Sequence, residues 1–136
     1  MDLSENERSY LTNQPLGRLA TLASDGSPQT RPVGFFLNEE LGTIDIGGHN
    51  LGQSQKFRNI QRDGRVAFVV DDLASIDPWS PRGIEIRGEA EAIVDAEPSR
   101  PGFSSELIRI RPNRLLSWGL ESDAFAPPLA RNIKSV

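Results

Sequence analysis

The run Arg65 to Asp71, R-V-A-F-V-V-D, carries Val66, Phe68 and Val70 on one side and Ala67 and Val69 on the other. A strand that is apolar on both faces must be covered on both, which places it inside a sheet rather than at an edge. Other segments alternate. Between Gly83 and Val94, the apolar Ile84, Ile86, Ala90, Ala92 and Val94 are interleaved with Glu85, Arg87, Glu89 and Glu91, so one face is core and the other is solvated. Gly88 interrupts the apolar face at a point where a barrel strand bends. In Thr43 to Ile46, Ile44 and Ile46 share a face in the same way.

Turn chemistry divides the remainder. Ser4 to Asn13 reads as a helix with Ser4 as cap and Glu7 three residues on, ending before Pro15. Arg18 to Ala23 and Gln29 to Leu37 are strands around Ser24-Asp25-Gly26-Ser27, an Asp-Gly hairpin whose two central positions need positive φ. Leu73 to Pro81 and Glu97 to Ser105 read as loops. Leu107 to Arg111 and Leu115 to Trp118 are strands turned by Pro112-Asn113-Arg114, and the tail after Gly119 reads as irregular. Six or seven mainly antiparallel strands, with one helix inserted after the third, fit a small closed barrel, and a sandwich is the alternative. A barrel of this size fills its interior with side chains, so a sizeable ligand binds outside it or between subunits.

The inserted helix carries the most chemistry. Asn50 is the expected cap and Gln53 completes a capping box. Gln53, Lys56 and Asn59 then share one face, while Phe57 and Ile60 form an apolar face that packs on the core. Amides, a lysine and an asparagine converging near the first turns make a candidate anion site, most naturally for a phosphate. The competing reading of Lys56 is a solvated helix lysine.

Composition excludes several classes. The chain has 136 residues, a net charge of -4 and a pI near 5.0, without the basic footprint of a nucleic-acid binder. Lys56, Arg58, Arg62 and Arg65 nevertheless fall within ten positions, a local basic neighbourhood suited to a small anion. The length supports one domain, 1–136, with a helix in 1–14 and a tail over 120–136. No apolar run reaches the ~18 residues of a membrane helix, no signal segment opens the chain, and a cytoplasmic protein is expected. There is no cysteine and a single histidine, His49, so neither thiolate chemistry nor a histidine-rich metal site is expected. His49 is a catalytic candidate by position, against a plainer role bonding backbone or phosphate. G-x-S-x-G and G-x-G-x-x-G are both absent.

One order of segments is specific. A strand, the S-D-G hairpin and a strand with Arg31-Pro32-Val33 are followed by a strand ending Gly47-Gly48-His49-Asn50. Then come Lys56-Phe57-Arg58-Asn59 and the Val66 to Asp72 strand. This order resembles the pyridoxamine-phosphate-oxidase-like split β-barrel superfamily. Pro81 to Glu91 and Ser117-Trp118-Gly119 are similar to its actinobacterial branch, which uses the deazaflavin coenzyme F420 instead of FMN. The resemblance spans residues 5 to 120.

The resemblance implies a mainly β, antiparallel split barrel of six to seven strands with short helices. It also implies a homodimer with two cofactor sites at its interface. It places cofactor contacts at Arg31, Pro32, Val33, Gly47, Gly48, His49, Ser54, Lys56 and Asn59, with Lys56 on the phosphate. It assigns Trp79, Arg82 and Trp118 to the substrate side or the coenzyme tail. The plainer readings are an interface anchor for Trp79 and barrel core for Trp118. The implied activity is reduction of a conjugated C=C in a small or polycyclic acceptor, tetracycline-type intermediates included. The alternatives are an FMN-dependent enzyme of the same fold and a non-enzymatic barrel that binds a cofactor or tetrapyrrole. The arginine-rich carboxy-terminal segment of pyridoxamine phosphate oxidases has no counterpart here, so oxidation of that vitamer is not implied.

Overall fold

The computed structural model describes residues 1–121 and 123–134. Helix α1, Glu5–Asn13, opens with the expected capping box: Ser4 Oγ accepts from the Glu7 amide and the Glu7 carboxylate accepts from the Ser4 amide. The strands are β1 (Gly17–Leu22), β2 (Pro28–Val33), β3 (Phe36–Asn38), β4 (Thr43–Ile46), β5 (Arg65–Ser75), β6 (Ser80–Ile93), β7 (Leu107–Trp118) and β8 (Leu129–Asn132). A second helix, α2 (Gln55–Arg62), lies between β4 and β5.

All eight strands join one antiparallel sheet in the order β2-β1-β5-β6-β7-β4-β3, with β8 added to β7. The hydrogen-bonded path is open. Its two ends are nevertheless neighbours in the chain, because only Gly34 and Phe35 separate β2 from β3. A sheet whose two edges are tied by two residues has to curl until they meet, and this is the split barrel. Phe35 seals the join, its ring set edge-on to Phe68 at 5.0 Å between centroids.

Most of the expected core positions are in place; Val94 is the exception, 60 % exposed just beyond the end of β6 at Ile93. Phe68 lies opposite Ile86 and Val70 opposite Ile84, while Ile110 and Ile108 pair with Ile44 and Ile46 on one side and with Ala90 and Ala92 on the other. These isoleucines, Phe68, Val70 and Leu115 are all at most 1 % exposed. Burial of each such side chain contributes about 1.5–3 kcal/mol. The interior is therefore filled with side chains.

Several local expectations are corrected. Gln29 to Leu37 is not one strand: it breaks at Gly34 because the chain leaves β1 there to pair with β4 instead. At the first hairpin only Gly26 has positive φ (85°), and Asp25 instead accepts from the Ser27 amide at 3.0 Å. The Leu73 to Pro81 loop is largely strand, closing in a turn over 76–79. Leu107 to Trp118 is continuous, because Pro112-Asn113 is accommodated as a bulge opposite Gly88. A Cβ on Gly88 would lie 2.2 Å from the Arg111 carbonyl oxygen, so the close approach requires glycine. The bulge leaves the Asn113 carbonyl free to accept from the Ile133 amide at 2.9 Å, which orders part of the tail as β8.

The start of the inserted helix also differs. Asn50 makes no capping bond and adopts φ 52°, ψ 40°. Leu51–Gln53 is a single 3-10 turn, and Ser54 is the true cap of α2, its Oγ accepting from the Phe57 amide at 3.3 Å. Gln53 consequently lies outside the helix face it was expected to share with Lys56.

Candidate functional site

Phe57 and Ile60 are buried and fasten α2 to the sheet, which turns Lys56 toward the inner face of the β1–β2 hairpin. A cleft of about 310 Å³ opens there. Leu19 and Thr21 of β1 form its floor, Gln29 and Arg31 of β2 one wall, and Gln55 and Lys56 the other. The register explains the convergence: Thr21 lies opposite Gln29 and Leu19 opposite Arg31, so all four side chains project to one face. Pro32 is exposed and Val33 enters the core. β2 ends the sheet path, so its second edge has no partner strand among the described residues.

The electrostatics are distinctive. Lys56 is half-buried, and burial together with the nearby Arg31 guanidinium pushes its ammonium below the usual lysine range. Neither cation is paired with a carboxylate among the described residues. The rest of the basic cluster is otherwise engaged. Arg58 donates to the Gln53 carbonyl at 2.7 Å, Arg62 to the Leu22 carbonyl at 2.7 Å, and Arg65 pairs with Asp63. The basic neighbourhood of the sequence therefore resolves into one cleft lysine and a partner, Arg31, from a different element.

Asn59 lies beneath the cleft, fully buried. Its amide nitrogen donates to Thr21 Oγ1 (3.0 Å) and Gln29 Oε1 (2.9 Å), and its Oδ1 accepts from Gln55 Nε2 at 2.8 Å. It holds three lining residues in place. Thr21, Gln29 and Gln55 were not singled out from sequence, although the hairpin register places Gln29 beside Thr21.

The other candidates lie elsewhere. Gly47 packs under Phe103, where a Cβ would come within 2.8 Å of the ring. The Gly48 carbonyl accepts from the Ser104 amide and hydroxyl, at 3.0 and 3.1 Å. His49 is exposed, stands edge-on to Phe103, and bonds the Gly102 carbonyl through Nδ1 at 2.7 Å. A carbonyl only accepts, so Nδ1 carries the proton and Nε2 is the free nitrogen. Trp79 sits exposed at the β5–β6 turn. Arg82 is clamped on Asp72 by bonds of 2.8 and 3.1 Å and lies over the Tyr10 ring. Trp118 covers Gly83 so closely that a Cβ there would lie 2.5 Å from its ring. None of these residues lines the Arg31–Lys56 cleft.

A curled, open antiparallel sheet with a cleft lined by two cations between its free edge strand and an inserted helix defines a split-barrel protein. A sequence model of the family described as Pyridoxamine 5'-phosphate oxidase matches residues 3–118, and the chain belongs to that family. It is 43% identical over 134 residues to the 5a,11a-dehydrotetracycline/5a,11a-dehydrooxytetracycline reductase of Streptomyces rimosus, covering 98% of this chain and 94% of that protein. Two solved structures share the fold. A conserved hypothetical protein of Mycobacterium tuberculosis aligns with TM-score 0.69 and 24% identity over 89% of this chain and 88% of its own. A heme binding protein of Mycobacterium smegmatis aligns with TM-score 0.70 and 17% identity, over 97% of this chain and 59% of that one. No described helix is long and apolar enough to cross a membrane, and no described cluster of His, Asp and Glu could hold a metal.

Proposed function

We propose that this chain is a coenzyme F420-dependent reductase acting on a conjugated C=C of a polycyclic, tetracycline-type acceptor. The observation that carries the reading is the Arg31–Lys56 pair, two cations in one cleft without a carboxylate partner among the described residues. The donor set fits a phosphate ester: a guanidinium, an ammonium, the amides of Gln29 and Gln55, and the Thr21 hydroxyl. The extensive identity to a reductase supports the reaction class. When bound, the reduced deazaflavin would supply a hydride to the β-carbon of the acceptor, whose α-carbon is then protonated. The chain's own contribution is position and charge. Arg31 and Lys56 hold the phosphate, Asn59 fixes the side chains around it, and the open edge of β2 offers backbone groups to the ring.

A homodimer belongs to this proposal. The outward face of the sheet presents Ala20, Ala67 and Val69, half-exposed apolar side chains in the middle of the sheet, as a surface for a second copy. Light scattering of the purified protein tests it, and a monomer at micromolar concentration refutes it.

FMN is the second reading, because its ribityl phosphate presents the same anion to the same cleft. Parallel titration with F420 and FMN separates the two. The proposal expects tight F420 binding and oxidation of reduced F420 on addition of 5a,11a-dehydrotetracycline. Saturation by FMN alone would replace the deazaflavin, and turnover with neither coenzyme would end the oxidoreductase reading.

A further inference from the structure

A second cavity, of about 440 Å³, is larger than the cleft at Arg31 and Lys56. It lies between the end of α1, the β2–β3 join and the β6–β7 loop, three segments far apart in sequence. Its accessible apolar surface comes from Phe36 and Leu37, with the buried Leu11 and Phe35 behind them. Phe36 is exposed (39%) although it is a large aromatic. Two charges stand at the rim. Glu39 is neutralised by an ion pair with Arg8, whereas Arg100 has no carboxylate partner among the described residues. What remains is a mixed surface, with Thr12, Asn13 and Gln14 as polar groups beside the exposed Phe36 and one guanidinium that has no carboxylate partner among the described residues.

We propose that this cavity is the acceptor site, which takes a flat fused-ring molecule by its apolar face and its anionic enolate or carboxylate by Arg100. The inference rests on the reductase reading above and adds where, and by which residues, the acceptor is held. A flat ring can stack on the exposed Phe36, and a delocalised oxyanion matches a planar guanidinium. The placement also suits hydride transfer. Phe35 follows Arg31 by four residues, at most about 13 Å along an extended chain, so the two cavities lie on neighbouring stretches of the same edge segment. The other cavities lack this combination. The one beside Tyr10 and Arg82 has its charge neutralised by Asp72, and the two on the outward sheet face are shallow and belong to the surface assigned to a second copy.

The test is equilibrium binding of tetracycline, followed by its own fluorescence, to the full chain without coenzyme. Arg100→Ala and Phe36→Ala remove exposed side chains, and circular dichroism verifies their folding. Each is expected to weaken tetracycline binding at least tenfold, with Arg100→Lys intermediate and F420 affinity unchanged in all three. In the loaded enzyme the same variants should raise KM for the acceptor more than they lower kcat. Wild-type affinity in both alanine variants, or no tetracycline binding by the parent chain, overturns the acceptor site. Arg100-dependent tetracycline binding without any coenzyme binding would instead leave the site standing and remove the reductase reading.

Discussion

Arg31 and Lys56 line one cleft from two different elements, the free edge strand and the first turn of the inserted helix, close enough for one charge to depress the other's pKa. A half-buried ammonium beside a second, exposed cation disfavours the empty state, and an anion relieves that cost.

Replacement of either cation by alanine removes one charge-assisted contact. Lys56→Ala and Arg31→Ala should each weaken F420 binding by about 1–3 kcal/mol. The thermal midpoint of Lys56→Ala should hold or rise slightly, because the variant removes a half-buried charge beside another cation. Calorimetric titration and a melting curve of each variant check both effects. Parent-like affinity in Lys56→Ala would take the lysine out of the site.

Affinity should depend on pH with a definite sign. The folded pKa of Lys56 lies below the ordinary lysine value of 10.5, and only the ammonium form attracts phosphate. Coenzyme affinity is therefore expected to fall as pH rises through that lowered pKa, still short of 10.5, with a proton taken up on binding there. In Lys56→Arg the fall should move beyond the accessible range. A flat wild-type profile would assign the phosphate to other groups.

Asn59 tests positioning apart from contact. Asn59→Ala leaves the Thr21, Gln29 and Gln55 partners unmatched, which costs about 1–3 kcal/mol of stability in urea unfolding. Coenzyme affinity should fall as well, because Gln29 and Gln55 lose their anchor. Asn59→Asp can still accept from Gln55 but cannot donate to Thr21 or Gln29, and it should rescue neither property.

Glu7 governs acid stability. Burial opposes ionisation of its carboxyl, but the Arg131 guanidinium and the Ser4 amide outweigh it and bring the pKa below the usual 4.5. A carboxyl depressed in the folded state stabilises above its unfolded pKa, and that contribution disappears as pH falls through the folded value. Glu7→Gln should therefore lower stability at neutral pH and show a shallower loss below pH 4.5 than the parent chain. Chemical denaturation at a series of acidic pH values measures the difference, and parallel curves would contradict it.

Much of this fold was legible as pattern. The apolar alternation of Ile84 and Ile86 and the two-faced Val66 to Val70 run reappear as the central hairpin of the sheet, and the capping box at Ser4 and Glu7 forms as written. These are interactions among near neighbours, which propensity and periodicity describe. Asn50 shows the limit. Its spacing to Gln53 satisfied the capping rule, yet the chain there is held by Ser104, which donates to the Gly48 carbonyl and accepts from the Leu51 amide, and the helix begins at Ser54 instead.

The sequence by itself determined that an antiparallel barrel would form around those isoleucines, and that Lys56 would stand on a short amphipathic helix. Only the tertiary structure decided which basic residue would join it. Arg58 and Arg62, near in sequence, bond backbone carbonyls, while Arg31, twenty-five positions away, reaches the cleft through the β1–β2 register. Local preferences act over one or two turns of chain, whereas a pair of cations in one cleft depends on which distant strand the packing of Phe57 and Ile60 brings beside the helix.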